Sequence, residues 1–195
     1  GEGGTGAAPL EFTNRIGTPL VEGLILVHNS LVGFDLRKEM RICTSGKITT
    51  GFDIIKRLAM GADLCYSARG MMMSLGCIQA LKCNTNTCPV GVTTQDPGLV
   101  VGLVPEDKCK RVYNFQKNII KSACEMMGAM GLEKTDDLKP WHLMRRTEAY
   151  EIRNYSEIYD FLKPGDLLKK SLPVSYARAV EAANAESFND IHPSV

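Results

Sequence analysis

The sequence predicts an α/β fold with parallel strands, on three observations. Two short apolar runs, residues 40–44 and 62–66, are each followed by a turn and then by apolar residues at helical spacing. A strand, turn, helix order repeated in this way calls for parallel strands joined by crossover helices. The third observation is length: 195 residues are enough to bury a sizeable core.

Taken in order, residues 1–9 form a glycine-rich loop, Gly1-Glu-Gly3-Gly4-Thr5-Gly6-Ala-Ala-Pro9. Residues 19–38 carry Leu20, Leu24, Val27, Leu31 and Phe34 on one helical face. Residues 40–44, Met-Arg-Ile-Cys-Thr, have the pattern of a short buried strand, and Ser45-Gly46-Lys47 turns the chain. Thr49 or Thr50 is placed to cap a helix through Asp53, Ile54, Ile55, Leu58 and Ala59. Gly61 supplies the left-handed residue that ends it. Residues 62–66 form the second strand, Ser67-Ala68-Arg69-Gly70 turns again, and a helix is expected over 71–81. A long helix spans about 106–130 and stops at Gly131. Residues 132–170 read as short helices and loops, and 171–195 as a tail with little periodicity beyond 177–183. The chain thus divides into 1–131, which includes the cysteine segment 77–88, and a helical extension with its tail, 132–195. No internal repeat is present.

Composition excludes several classes. A net charge of +1 leaves no electrostatic footprint for nucleic acid. No apolar run approaches the ~20 residues that span a bilayer. The seven cysteines lack the spacing of a secreted disulfide scaffold and read, beside nine methionines, as reduced thiols in a cytoplasmic protein.

Chemistry concentrates in three places. The glycine loop lets backbone N–H groups approach a flat or anionic ligand, or is simply a tight turn. Ser45-Gly46-Lys47 and Ser67-Ala68-Arg69-Gly70 each leave a strand and open a helix, where free N–H groups can hold phosphate. Two adjacent loops of this kind match the phosphate site after the last two strands of a TIM barrel; two capped helices without a ligand are the plainer reading. Cys77, Cys83 and Cys88 follow at C-x5-C-x4-C, with Pro89 after the last. Zinc takes four ligands, and Cys65 is the one further thiol nearby in sequence. Three thiols closed by a proline fit an iron–sulfur cluster that lacks one iron, with the intervening Asn and Thr as donors to its sulfides. A helix face of buried thiols is the remaining alternative. Cys77 is expected on a helix. Cys43, Cys109 and Cys124 have no partner spacing and read as small buried hydrophobes. Met71 to Met73 reads as core packing, with a cofactor-facing role as the other reading. His28 and His142 are assigned no role, and Arg145-Arg146 reads as a solvated face.

These residues resemble a known family. Gly3-Gly4-Thr5-Gly6-Ala7 with Pro9, Gly51 with Asp53, Gly61-Ala62-Asp63, Leu75-Gly76-Cys77 and Cys83-Asn-Thr-Asn-Thr-Cys88-Pro89-Val-Gly-Val-Thr-Thr-Gln-Asp-Pro97 are similar to the FMN-binding synthase domain of glutamate synthase, in its stand-alone form. The agreement runs in order over about residues 1–165, and 75–97 is its most specific block.

The resemblance implies the C-terminal portion of a (β/α)8 TIM barrel, FMN at its mouth and a 3Fe-4S cluster beside it. It implies electrons from ferredoxin or a reductase subunit. It implies reduction of 2-iminoglutarate, formed from 2-oxoglutarate and ammonia, to L-glutamate. Cys77, Cys83 and Cys88 correspond to the cluster ligands. Gly3, Gly4, Thr5 and Gly6 correspond to the loop near flavin and substrate. Ser45, Gly46 and Lys47 match the loop after the seventh strand, and Ser67, Ala68, Arg69 and Gly70 the loop after the eighth. Full-length members carry Asp-Gly-Gly in place of Ser45-Gly46-Lys47, so Lys47 offers a charge contact where the family uses backbone. Counted from the glycine loop as the one after the sixth strand, only the last two strands are expected in this polypeptide and the first six are absent from it. The 195-residue polypeptide alone is therefore expected to bind FMN poorly and to lack glutamate synthase activity. Two rivals are an iron–sulfur electron-transfer subunit that completes its barrel with another chain, and a zinc-stapled structural module.

Overall fold

The computed structural model describes residues 8–186. The glycine loop, with Gly3, Gly4, Thr5 and Gly6, lies outside the described residues. The helices are α1 (Leu10–Arg15), α2 (Leu20–Gly33), α3 (Gly51–Ala59), α4 (Arg69–Ser74), α5 (Pro97–Val100), α6 (Pro105–Ala129), α7 (Tyr155–Ile158) and α8 (Val174–Ala182). The strands are β1 (Cys43–Ser45), β2 (Leu64–Tyr66), β3 (Met144–Glu148) and β4 (Glu151–Asn154).

β1 and β2 pair in parallel, Cys43 opposite Leu64 and Ser45 opposite Tyr66, with α3 as the crossover. This is the α/β unit the sequence predicts. Thr50 caps α3: its hydroxyl accepts from the Asp53 N–H at 3.1 Å, and the Asp53 carboxylate reaches back to the Thr50 N–H at 3.0 Å. Gly61, at φ 106°, terminates the helix as expected.

The core lies where α2, α3 and the C-terminal half of α6 meet. Leu24, Ile25, Ile55, Ala59, Met60, Ala123 and Met127 form it, and Leu138, Leu143 and Tyr155 close it from the C-terminal region. α3 lies directly on α6 because Gly51 has no side chain. A Cβ there would stand 2.6 Å from the Ala123 amide nitrogen.

On the two parallel strands only one face is covered. Thr44 is buried and Cys65 half-buried, whereas Cys43, Ser45, Leu64 and Tyr66 are exposed on the other face. Among the described residues no further strand pairs with either edge of this sheet.

Three expectations need correction. The helix read over 71–81 ends at Ser74, because Gly76 takes φ 103° and the chain turns out of the helix; Cys77 therefore sits in irregular backbone. Cys43, Cys109 and Cys124 are exposed, on the open sheet face and on the outer side of α6, and are not buried hydrophobes. The extension is not purely helical, since β3 and β4 form an antiparallel hairpin. The one periodic stretch read in the tail, 177–183, falls in a regular helix, α8, held by the Tyr176 hydroxyl against Asn29 of α2.

Candidate functional site

Parallel strands deliver their following loops to the same end of a sheet. The loop after β1 and the loop after β2 are tied together there, with the Ser67 hydroxyl donating to the Ile48 carbonyl at 2.5 Å. Gly70 is buried against this contact, and a Cβ on it would lie 2.5 Å from the Ser67 oxygen and 3.0 Å from the Ile48 oxygen. From beneath, Arg57 of α3 reaches the Gly46 carbonyl at 3.4 Å while pairing with Asp53 at 3.7 Å.

A cavity of about 410 Å³ opens at this end of the sheet. Its wall joins Lys47 and Thr49 from the first loop, Arg69, Met72 and Met73 from α4, and Cys77, Gln79, Leu81 and Cys83 from the segment beyond. Ala8, next to the glycine loop, and Thr13 of α1 close another side. Its size is that of a small-molecule site, and cations combined with apolar walls suit a ligand that is part anion and part flat hydrophobe. Arg69 makes no ion pair among the described residues.

Of the residues picked from sequence, the cavity brings together Lys47, Arg69, Cys77 and Cys83. Ser45, Gly46, Ser67, Ala68, Gly70 and Cys88 are not among its lining residues. Met72 and Met73 line the cavity and Met71 does not, so core packing does not account for the first two. Gln79 and Leu81 were not singled out in the sequence. They reach the wall because both take left-handed backbone, at φ 58° and 56°, where nothing but glycine signals such a turn in advance.

The helix-end phosphate reading for α3 does not hold in its simple form. The Asp53 carboxylate already accepts from the amides of Thr49, at 3.1 Å, and Thr50, at 3.0 Å. Burial would raise the Asp53 pKa; those hydrogen bonds, the Thr50 hydroxyl and Arg57 outweigh it and hold the carboxyl below its ordinary value. The positive end of α3 thus already faces a negative charge, which leaves anion contacts to the Lys47 and Arg69 side chains.

The cysteines differ in environment. Cys77 accepts from the Gln79 amide at 3.4 Å. Cys88 is buried, which would push its thiol up; the amides of Thr93, Val90 and Val92, turned toward its sulfur, outweigh this and hold it below the ordinary thiol value. The Thr93 hydroxyl is buried beside the sulfur and acts in the same direction. Cys65 faces the helices rather than the cavity, and burial pushes its thiol up to about 11, so it is no ready thiolate.

Among the described residues no three His, Cys, Asp or Glu side chains gather round one point that would hold a single metal ion. A zinc ion needs its thiolates roughly 3.8 Å apart, the edge of a tetrahedron with bonds of about 2.3 Å. A cluster binds its thiolates through separate irons and so sets them farther apart. Soft sulfurs with amide donors at Cys77 and Cys88 are the kind of donor set an iron–sulfur group takes, and the cavity beside Cys77 and Cys83 has the size and mixed lining that a phosphorylated aromatic cofactor takes.

Residues 1–133 match the family described as the conserved region in glutamate synthase. The glutamate synthase large subunit-like protein YerD of Bacillus subtilis (strain 168) is 39% identical over 157 residues, 80% of this chain and 30% of that protein. The archaeal glutamate synthase (NADPH) of Methanocaldococcus jannaschii is 37% identical over 138 residues, 71% of this chain and 27% of that protein. The ferredoxin-dependent glutamate synthase of Antithamnion sp. is 35% identical over 139 residues, 70% of this chain and 9% of that protein. The chain therefore spans less than a third of the length of these relatives.

Proposed function

From these matches the chain belongs to the glutamate synthase family, and we propose that it forms the cofactor-holding end of a glutamate synthase-type oxidoreductase. The observation that carries the reading is the single cavity shared by two βα loops and the cysteine segment.

In this reading FMN occupies the cavity and a 3Fe-4S cluster is held by Cys77, Cys83 and Cys88. When bound, the flavin supplies hydride transfer and the cluster one-electron transfer. The rest is the work of the chain. Lys47 and Arg69 offset the charge of the flavin phosphate. Met72 and Met73 give the isoalloxazine an apolar wall and displace water from it. The Ser67 bond to Ile48 and the missing Cβ of Gly70 keep the two loops at a fixed separation. The amides of Val90, Val92 and Thr93 stabilise the thiolate of Cys88. The substrate is 2-iminoglutarate, formed from 2-oxoglutarate and ammonia and reduced to L-glutamate, with ferredoxin or a reductase subunit as electron donor. The bare face and unpaired edges of β1 and β2 support completion of a (β/α)8 barrel by further strands, with residues 132–195 as an extension outside it. No described helix is long and apolar enough to cross a membrane.

Anaerobic purification followed by iron, sulfide, zinc and flavin analysis tests the reading. Iron with acid-labile sulfide, and FMN once the remaining strands are supplied, is the expected result. Iron and sulfide that never recruit flavin would favour an electron-transfer subunit. Zinc without sulfide would overturn both.

A further inference from the structure

Between Cys77 and Cys83 the backbone adopts a path that side chains resist. Gln79 and Leu81 take φ 58° and 56°. Glycine enters that region freely, whereas a Cβ meets its own backbone there. Asparagine offsets the cost with local hydrogen bonds. Asn86, also left-handed at φ 59°, has an ordinary reason for it: it ends the 3₁₀ turn Cys83–Thr85, and its carbonyl accepts from the Thr94 hydroxyl at 2.9 Å.

Leu81 has no such reason. Its side chain has no polar group, and packing does not compensate for the strain, since the residue is 59% exposed. What it does have is a place on the cavity wall, two residues before Cys83, in a lining that also includes Met72 and Arg69. Gln79 shows what the path accomplishes on the other side, where its amide donates to the Cys77 sulfur. Strain held on a cavity wall without local compensation is the signature of a ligand clamp.

We infer that Leu81 is a positioning residue, whose left-handed backbone carries the chain from Cys77 to Cys83 across the cavity wall and so sets where the Cys83 thiol is presented. The inference rests on the iron–sulfur reading above. It makes backbone conformation, and not side-chain volume, the property that matters at this position.

Three variants of the full chain separate the two: Leu81→Gly and Leu81→Asn, which tolerate left-handed backbone, and Leu81→Val, whose β-branch does not. Each is reconstituted anaerobically with iron and sulfide and challenged with a chelator, and Cys83 alkylation is followed in the unloaded chain by peptide mapping. The Gly and Asn variants are expected to keep the wild-type cluster spectrum, chelator half-life and Cys83 alkylation rate. The Val variant is expected to lose its cluster on the order of tenfold faster, the usual cost of a misplaced ligand, and to shift the alkylation rate of Cys83. The inference is overturned if Val behaves as wild type while Gly and Asn are labile, or if all three behave alike. If the wild-type chain takes up no sulfide-bound iron, the proposed function falls, and Cys83 alkylation in the unloaded variants still decides the role of Leu81.

Discussion

Asn29 joins the C-terminal segment to the body of the protein with a single side chain. It is 1% exposed, and all its hydrogen-bonding capacity is directed at residues far away in sequence. Its amide donates to the Asp160 carbonyl at 2.8 Å and the Tyr176 hydroxyl at 2.7 Å, and its oxygen accepts from the Leu162 amide at 3.1 Å. Asn29→Ala strands those partners away from water and is expected to cost about 2 kcal/mol in urea denaturation. A loss under half a kcal/mol would show the segment to be held by other contacts. His28, one residue earlier, is neutral for a physical reason: burial first, then the neighbouring Arg37, lowers its pKa from 6.5. Unfolding restores the ordinary value, so the unfolded chain binds the proton first. The stability contributed by neutral His28 is complete above pH 6.5 and is lost as pH falls through the lowered folded value. His28→Gln is therefore expected to flatten the fall in melting temperature between neutral and mildly acidic pH.

At the scale of elements, α3 is defined by its ends and by one glycine. Thr50→Ala removes the cap hydroxyl and is expected to cost about 1 kcal/mol. Gly51→Ala presses a methyl into the backbone of α6, at 2.6 Å from the Ala123 nitrogen, and is expected to cost roughly 1–3 kcal/mol by forcing the two helices apart. These features were legible in the sequence because their signals are local: an apolar strand, a Thr-x-x-Asp cap, a glycine stop. The hairpin β3–β4 was not. Every residue of β3 is exposed, so Met144 to Glu148 carries none of the apolar alternation that marks a half-buried strand. The end of α4 was misread for the opposite reason. Leu75, Ile78 and Leu81 continue a helical spacing that Gly76 interrupts, and the residues that redirect the chain, Gln79 and Leu81, are not ones that announce a turn.

At the scale of the molecule, the candidate site was half legible. Lys47, Arg69 and the cysteines could be chosen from position and spacing; that Cys77 and Cys83 share one cavity with Lys47 and Arg69 depends on the irregular path of residues 75–83, which no local pattern states. The same fold explains why the sheet stands bare on one face, with Leu64 53% and Tyr66 60% exposed. The central claim is that the three-cysteine segment holds a cluster at this cavity. Iron and acid-labile sulfide content, measured across single Cys→Ser variants after anaerobic reconstitution, tests it most directly. Cys77→Ser, Cys83→Ser and Cys88→Ser are each predicted to lose sulfide-bound iron, while Cys43→Ser, Cys109→Ser and Cys124→Ser retain it at the wild-type level. Retention of the full iron and sulfide content by any of the first three, or zinc in place of iron throughout, would contradict the account.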